Sequence, residues 1–317
     1  MRVLAVISVL FCLTAAAQFD PAAGQTGSLA VHKDSAAIHA WATGCAVVRG
    51  YQDISNKSLG YATVGDSSMA TGSSDAGVVS LGDGGSAILT FKHPIRNGAG
   101  PDFAVFENSF SDTYLELAFV EVSSDGINYF RFPATSNTDT STAVGSFGAL
   151  DASKLNNLAG KYRAQYGTPF DLEELKNEAG LNVEGITHVK IIDVVGSVDN
   201  AYATRDKNNH KINDPWPTAF ASSGFDLEAV GVIYEYQWGI EENYFSFSAY
   251  PNPAGNELFL RFEGNASFQV LDMKGQLQME QYGTNALQMD VSQLPSGIYL
   301  LKVTAFNKCY VGKFSKM

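Results

Sequence analysis

Short apolar runs that alternate with polar residues and end in turn residues recur through most of the chain, and this pattern limits the possible folds most strongly. In the clearest example, a run over residues 117–122 leads through Ser123-Ser124-Asp125-Gly126 into a second run over residues 127–132. Asp-Gly between two alternating runs predicts an antiparallel hairpin, because glycine supplies the positive φ that the turn needs. The sequence therefore predicts antiparallel β-sheet here.

Further strands are predicted at residues 87–91, 103–106, 186–195 and 225–234. The chain has thirty glycines, twenty phenylalanines and fourteen tyrosines in 317 residues, which fits strands that are joined by tight turns. Strands do not alternate with helices, so a parallel α/β fold is not indicated. The pattern predicts an all-β, jelly-roll-like β-sandwich over residues 18–240.

One helical insertion, at residues 151–178, is predicted within this sandwich. Asp151 is a suitable N-cap for a helix that runs through Leu155, Leu158 and Tyr162 and stops before Gly167. A second short turn is expected from Asp171 onward.

The N-terminus has the pattern of a secretory signal. A positive start at Arg2 precedes an apolar run over residues 3–13 and the small residues Ala15-Ala16-Ala17. This arrangement predicts a signal peptide at residues 1–17 that is cleaved after Ala17. No other segment is long and apolar enough for a transmembrane helix.

The tail of the chain, after a predicted linker at residues 241–248, carries several short motifs in a fixed order. They are Tyr250-Pro251-Asn252-Pro253, Asp272-Met273-Lys274-Gly275 and Leu294-Pro295-Ser296-Gly297-Ile298-Tyr299. The Pro and Gly residues of these motifs predict where the first strand begins and where the chain turns in a small antiparallel, Ig-like β-sandwich. Their order and spacing over residues 249–317 resemble the type IX secretion C-terminal sorting domain of Bacteroidetes.

That resemblance implies a place and a partner for the protein. In this family the domain is recognised by the type IX secretion machinery, which carries the protein across the outer membrane. The domain is then usually removed, and the rest of the protein is released or attached to the cell surface. The expected location is therefore the cell surface or the extracellular space.

A polar loop over residues 206–214 is the first candidate site. The whole chain is acidic, with a formal net charge of −12. This charge argues against a nucleic-acid partner and favours the binding of divalent cations where carboxylates converge. Asp206, Asn208 and Asp214 resemble half of a calcium loop, to which Asp226 is able to add a ligand from the following strand. The glycine and the closing glutamate of an EF-hand are missing, so a solvated polar loop is the alternative.

The aromatic residues Trp216 and Phe220 follow this loop and form the second candidate site. A tryptophan between prolines is a suitable stacking platform for a sugar ring or another flat ligand, because proline lowers the entropy cost of presenting it. Packing of Trp216 into the core is the alternative, since large aromatic residues are mostly buried.

The large domain resembles the jelly rolls of discoidin-like and carbohydrate-binding modules, and a set of uncharacterised bacterial cell-surface proteins. The residues that carry this resemblance are the run 97–110, the Asp125-Gly126 hairpin and the strand that begins at Phe225. No metalloprotease, serine hydrolase, phosphate-loop or dinucleotide motif is present in the sequence. Catalysis is not indicated by any motif.

Three functions remain open from the sequence. The first is a secreted or surface-attached binding protein, steadied by calcium, that captures a glycan or another nutrient-sized ligand. The second is a secreted polysaccharide hydrolase that uses carboxylates from separate strands, with Glu107, Glu116 and Glu121 as the residues to test. The third is a structural or adhesion protein.

Overall fold

The computed structural model describes residues 19–75, 77–236, 247–305 and 308–317. The Cα positions divide the chain into two compact units, Met1–Trp238 and Gly239–Met317. The predicted signal peptide at residues 1–17 and residues 241–246 of the predicted linker lie outside the described residues. Within the described ranges, no helix is long and apolar enough to cross a membrane.

The first unit consists of two antiparallel sheets and a separate two-stranded pair. Its strands are β1 Val31–His32, β2 Ala40–Trp41, β3 Gly44–Val48, β4 Val79–Ser80, β5 Ser86–Ile95, β6 Phe103–Glu107, β7 Ala118–Ser123, β8 Phe130–Arg131, β9 Thr135–Ser136, β10 Leu155–Asn156, β11 Tyr166–Phe170, β12 Ile186–Asp193 and β13 Asp226–Val232. Its 3-10 helices are Lys57–Leu59, Ser67–Ala70, Ala152–Lys154 and Leu172–Leu175.

The strand order of this unit is that of a jelly roll. One sheet has the order β3-β5-β12-β7-β8, and the other has the order β1-β11-β6-β13-β2 with β4 also paired to β13. Along the chain the longer strands β5, β6, β7, β11, β12 and β13 therefore alternate between the sheets. Leu89, Val120 and Ile191 from the first sheet share one core with Phe103 and Val230 from the second. The predicted all-β sandwich and its β7–β8 hairpin are confirmed.

The helix predicted from Asp151 is not formed. Asp151 does cap a turn, since its side chain accepts a hydrogen bond from Ser153 N, but the turn is a 3-10 helix of three residues. The chain then becomes extended, and β10 pairs with β9. Asn157 and Gly160 have positive φ, which a right-handed helix excludes. The second short turn is present as the 3-10 helix Leu172–Leu175 with Asp171 as its N-cap.

The second unit is a five-stranded antiparallel sheet. Its strands are β14 Ser248–Tyr250, β15 Glu257–Leu271, β16 Leu277–Asp290, β17 Gly297–Ala305 and β18 Lys308–Lys316. The first half of β15 pairs with β14 and the second half pairs with β17, while β16 pairs along both halves. Leu260 from the first half and Phe268 from the second half lie in one core with Leu301 and Phe314. The unit is all-β, as the sequence predicts.

Candidate functional site

Strand ends from both sheets meet at one end of the first unit. There β6 ends at Glu107, β12 ends at Asp193 and β13 begins at Asp226. The antiparallel pairing of β6 with β13 places Glu107 directly opposite Leu227, next to Asp226. The connections that follow β4, β6, β9 and β12 supply the remaining side chains of the candidate site.

Six buried carboxylates gather at this end, and we call them the carboxylate cluster. Each residue is at most 7% exposed. The members are Asp83, Glu107, Glu116, Asp193, Asp214 and Asp226. Such a concentration of buried acids is unusual, because a buried charge is costly unless it is paired.

Burial is the main cause that raises the pKa of every member of the carboxylate cluster. It raises the pKa of Glu116 to about 9, that of Asp193 to about 8 and that of Asp226 to about 6. It also raises the pKa of Asp83, and holds the pKa values of Glu107 and Asp214 well above their usual range. For all but Asp83 and Asp226, other cluster members raise the pKa further. Each of these carboxyl groups therefore holds its proton more strongly than it would in water.

Three members of the cluster are held mainly by backbone amides. Asp193 accepts hydrogen bonds from Gly84 N at 2.9 Å and from Phe225 N at 2.8 Å. Asp214 accepts from Leu117 N at 2.9 Å. Asp83 accepts from Ile54 N at 2.8 Å and from the indole Nε1 of Trp216 at 2.9 Å. These three carboxylates fix the loops around the site.

The other three members have side-chain partners or an unused oxygen. Asp226 accepts a hydrogen bond from the Ser80 hydroxyl, and Glu116 is hydrogen-bonded to the Tyr114 side chain. Glu107 Oε2 accepts from Ser109 N at 2.9 Å, whereas Glu107 Oε1 is buried and has no hydrogen-bond partner. A buried carboxyl oxygen without a hydrogen-bond partner is rare in proteins and calls for an explanation.

Four aromatic rings lie in a row at the same end of the unit, and we call them the aromatic row. Centroid distances are 4.5 Å between Phe110 and Tyr114, 6.1 Å between Tyr114 and Phe147, and 6.1 Å between Phe147 and Phe220. Phe110 is 74% exposed, Phe147 72% and Phe220 50%. The hydrogen bond between Tyr114 and Glu116 connects the row to the carboxylate cluster.

The two predicted ligand-binding aromatic residues have different environments. Phe220 is the last ring of the aromatic row. Trp216 is half-buried, its Nε1 donates to Asp83, and its ring centroid lies 6.0 Å from that of Tyr202. Trp216 is therefore placed to support the loop, while Phe220 is presented to solvent.

The four predicted calcium ligands are not gathered in one place. Asp206 Oδ1 accepts hydrogen bonds from Asn208 N at 2.8 Å and His210 N at 2.9 Å, so its carboxylate closes its own loop. The side chain of Asn208 is exposed. Asp214 and Asp226 instead belong to the carboxylate cluster. As positioned, no three Asp, Glu, His or Cys side chains among the described residues form a metal-binding group.

Sequence reasoning named Glu107, Glu116, Asp214, Asp226 and Phe220, but it assigned them to separate sites and did not predict that they meet. Asp83 and Asp193 were not predicted as site residues. Asp193 does carry a signal, because a charged residue at the end of an apolar strand often points into a site. Phe110 and Tyr114 lie in one loop, and Phe147 lies in another loop more than thirty residues further along the sequence. Nothing in a single sequence indicates that their rings meet.

Comparisons with known proteins identify the second unit. Residues 248–316 match the family described as secretion system C-terminal sorting domain. A comparison with curated protein sequences finds no match.

Among solved structures, the chain is similar to β-glucuronidase from Ruminococcus gnavus in complex with uronic isofagomine, at 14% identity over 74% of this chain and 35% of that chain, with a TM-score of 0.21. The same enzyme in complex with D-glucaro 1,5-lactone gives 13% identity over 86% of this chain and 45% of that chain, also with a TM-score of 0.21. The chain thus spans less than half the length of these enzymes, and likeness at this level carries no argument about activity. Residues 248–316 are a type IX secretion C-terminal sorting domain, and the protein is exported across the outer membrane to the cell surface or the extracellular space.

Proposed function

We propose that the first unit is a binding module, displayed or released outside the cell, that captures a glycan on the aromatic row. The observation that carries the proposal is the continuous series of rings from Phe110 to Phe220, three of which are at least half exposed. Exposed apolar surface of this kind is costly in water and marks binding sites. Flat rings suit the apolar faces of sugars, while loop polar groups serve their hydroxyls.

The loops that carry the aromatic row are tied to one another, which supports a preformed site. Leu150 N donates to Thr113 O at 2.7 Å, joining the loop of Tyr114 to the loop of Phe147. Ser146 Oγ donates to Pro217 O at 2.6 Å, joining the loop of Phe147 to that of Phe220. A preorganised surface loses less entropy when a ligand binds, so more of the contact energy remains as affinity.

Calcium is the second part of the proposal, as a structural ion that steadies these loops. The support for it is the density of buried carboxylates below the aromatic row. Carboxylate oxygens are the ligands that Ca²⁺ takes most often in proteins.

A polysaccharide hydrolase is the alternative that these residues favour less. Glu107 is 1% exposed and Glu116 is 7% exposed, so neither presents a carboxyl group to a polymer. Glu121 is paired with Arg131 at 2.7 Å and with Lys190 at 3.7 Å. A hydrolase needs two carboxyls that reach the same glycosidic bond.

The test is binding of the purified full chain to a glycan panel, followed by affinity measurements for the best ligand. We expect Phe147→Ala to weaken binding about 5- to 150-fold, the effect of losing an interfacial aromatic anchor. Tyr236→Ala, an exposed aromatic residue near the opposite end of β13, is the matched control and should bind as the unchanged protein does. Absence of binding to any glycan, or equal binding by Phe147→Ala, would overturn the proposal, and release of reducing sugar would favour the hydrolase.

A further inference from the structure

A polar pocket of about 570 Å³ lies between two segments of the first unit. One wall is formed by the end of β9 and the residues after it, and the other wall by the loop at residues 205–211. Every residue that lines the pocket is polar, three of them are able to carry a positive charge, and none is acidic. This composition is unexpected in a chain with 33 acidic and 21 basic residues.

The loop at residues 205–211 brings two cationic side chains next to each other. Arg205 and Lys211 are opposite residues in an antiparallel β-bridge, so their side chains leave the loop on the same face. Asn209, with a positive φ of 64°, turns the chain between them. Like charges at opposite positions repel each other. An anion bound beside both side chains would offset this repulsion.

The hydrogen-bond partners of both cations are neutral. The guanidinium of Arg205 donates to Asn209 O at 2.9 Å and to Asn200 Oδ1 at 3.0 Å. Lys211 Nζ donates to Val198 O. Among the residues that the structure describes, neither cation takes part in a salt bridge. The positive charges are therefore not compensated by an ion pair within the protein.

Asp206, the carboxylate of this loop, holds the two walls together. Its side chain is fully buried and does not line the pocket. Its Oδ1 accepts hydrogen bonds from Asn208 N and His210 N, and its Oδ2 accepts one from Ser136 N at 3.1 Å, on the opposite wall. The pocket is therefore preformed, which lowers the entropy cost of binding a ligand.

The wall that follows β9 supplies hydroxyl groups. Thr138 and Thr140 both line the pocket. The Thr138 hydroxyl is buried and has no hydrogen-bond partner within the described residues, which is uncommon for a buried polar group. A ligand oxygen in the pocket would supply that partner after rotation about the Thr138 χ1 bond.

We propose that this pocket binds an anionic group of an acidic glycan, with Arg205 and Lys211 as the residues that pair with it. Carboxylate and sulfate are the anionic groups that sugars carry, and both accept charge-assisted hydrogen bonds from arginine and lysine. The remaining polar groups of the pocket suit the hydroxyls of the same sugar.

The pocket and the aromatic row share one connection. The segment after β9 that carries Thr138 and Thr140 continues to Phe147 of the row. Asn213 fixes this segment between them, because its Nδ2 donates to Asp139 O at 2.7 Å and to Thr142 O at 2.9 Å. The inference therefore deepens the proposed function by naming the class of glycan, and it rests on that function.

The experiment is calorimetric titration of the full chain with two matched pairs of probes. Oligogalacturonate is compared with its carboxyl-reduced form, and dextran sulfate with dextran, so that carboxylate and sulfate are tested separately. We expect at least one acidic probe to bind at least tenfold more tightly than its neutral counterpart. Arg205→Gln and Lys211→Gln should each weaken that binding about tenfold or more, the effect of losing a hydrogen bond to a charged group.

Lys207→Gln is the matched control, because Lys207 is an exposed residue of the same loop that does not line the pocket. It makes the same change in net charge and should weaken binding much less. Equal weakening by Lys207→Gln would indicate a non-specific charge effect and overturn the inference. Equal binding of acidic and neutral probes would also overturn it.

Phe147→Ala separates this inference from the proposed function. If Phe147→Ala weakens glycan binding while Arg205→Gln does not, the aromatic row binds the glycan and the inference about the pocket is wrong. If Arg205→Gln abolishes the preference for the acidic probe while Phe147→Ala binds as the unchanged protein does, the pocket is confirmed and the role of the aromatic row is wrong.

Discussion

At the scale of single residues, Lys161 shows how the structure treats a buried charge that does have a partner. Lys161 is 2% exposed, and its Nζ lies 2.5 Å from Asp20 Oδ1. Burial lowers the pKa of Lys161, and the hydrogen bond to Asp20 offsets part of this decrease. Asp20 also accepts a hydrogen bond from the Tyr162 hydroxyl. The pair therefore ties the N-terminal segment to the chain near β11.

Asp20→Asn should lower the free energy of unfolding by about 3–5 kcal/mol, because it leaves the Lys161 ammonium buried without a counter-charge. Denaturant unfolding of the full chain measures this. Replacing Lys161 with methionine in the same protein should recover most of the loss, since no buried charge then remains.

The exposed pair of Lys176 and Glu173 is the control for this effect. Both side chains are about half exposed, and Glu173→Gln should leave the unfolding midpoint unchanged. Equal effects of Asp20→Asn and Glu173→Gln would contradict the role of burial.

At the scale of elements, the sequence was sufficient to predict most of the long strands, but not to predict which residues meet at the candidate site. Alternation and turn residues indicated β6, β7, β12 and β13, because side chains in a strand repeat every two residues. Local pattern failed at residues 151–162, where pairing of β10 with β9 and the positive φ of Asn157 override a good helix start. The carboxylate cluster was hidden for another reason. Its members are spread from residue 83 to residue 226, and they come together because successive strands alternate between two sheets.

The two glycines that flank β12 provide a test at this scale. A Cβ at Gly196, just after the strand, would overlap both Asp214 Oδ1 and the Asp214 carbonyl oxygen. Gly196→Ala should therefore destabilise the protein by about 1–3 kcal/mol through overpacking. Asp214 would be displaced from Leu117 N, to which it is hydrogen-bonded.

Gly185→Ala, just before β12, is the matched substitution. A Cβ at Gly185 would meet only the Asn182 side chain, whose nitrogen would be 3.1 Å away, and that flexible side chain is able to move. Thermal melts of both variants should show a clear loss for Gly196→Ala and a much smaller change for Gly185→Ala. Similar melting temperatures for the two variants would mean that the close approach of Asp214 to Gly196 is not important.

At the scale of the whole molecule, the sorting domain and the proposed binding site belong to different units. The first unit has a core built from both of its sheets, and the second unit has a separate core. The sorting family matches residues 248–316 and none of the first unit. The export signal and the proposed binding surface therefore lie in different parts of the chain. Mutations in one unit should change export alone, and mutations in the other should change binding alone.

Deletion of residues 248–317 should abolish display outside the outer membrane and leave the first unit folded in the periplasm. The reason is that the secretion machinery reads the sorting domain, whereas the first unit is stabilised by its own core. Antibody labelling of intact cells, together with fractionation and limited proteolysis, measures location and folding separately. Phe147→Ala is the control, because it alters the aromatic row alone and should be exported normally. A deletion variant that still reaches the surface would show that the first unit carries an export signal of its own. A deletion variant that is degraded in the periplasm would show that the first unit needs the second for stability.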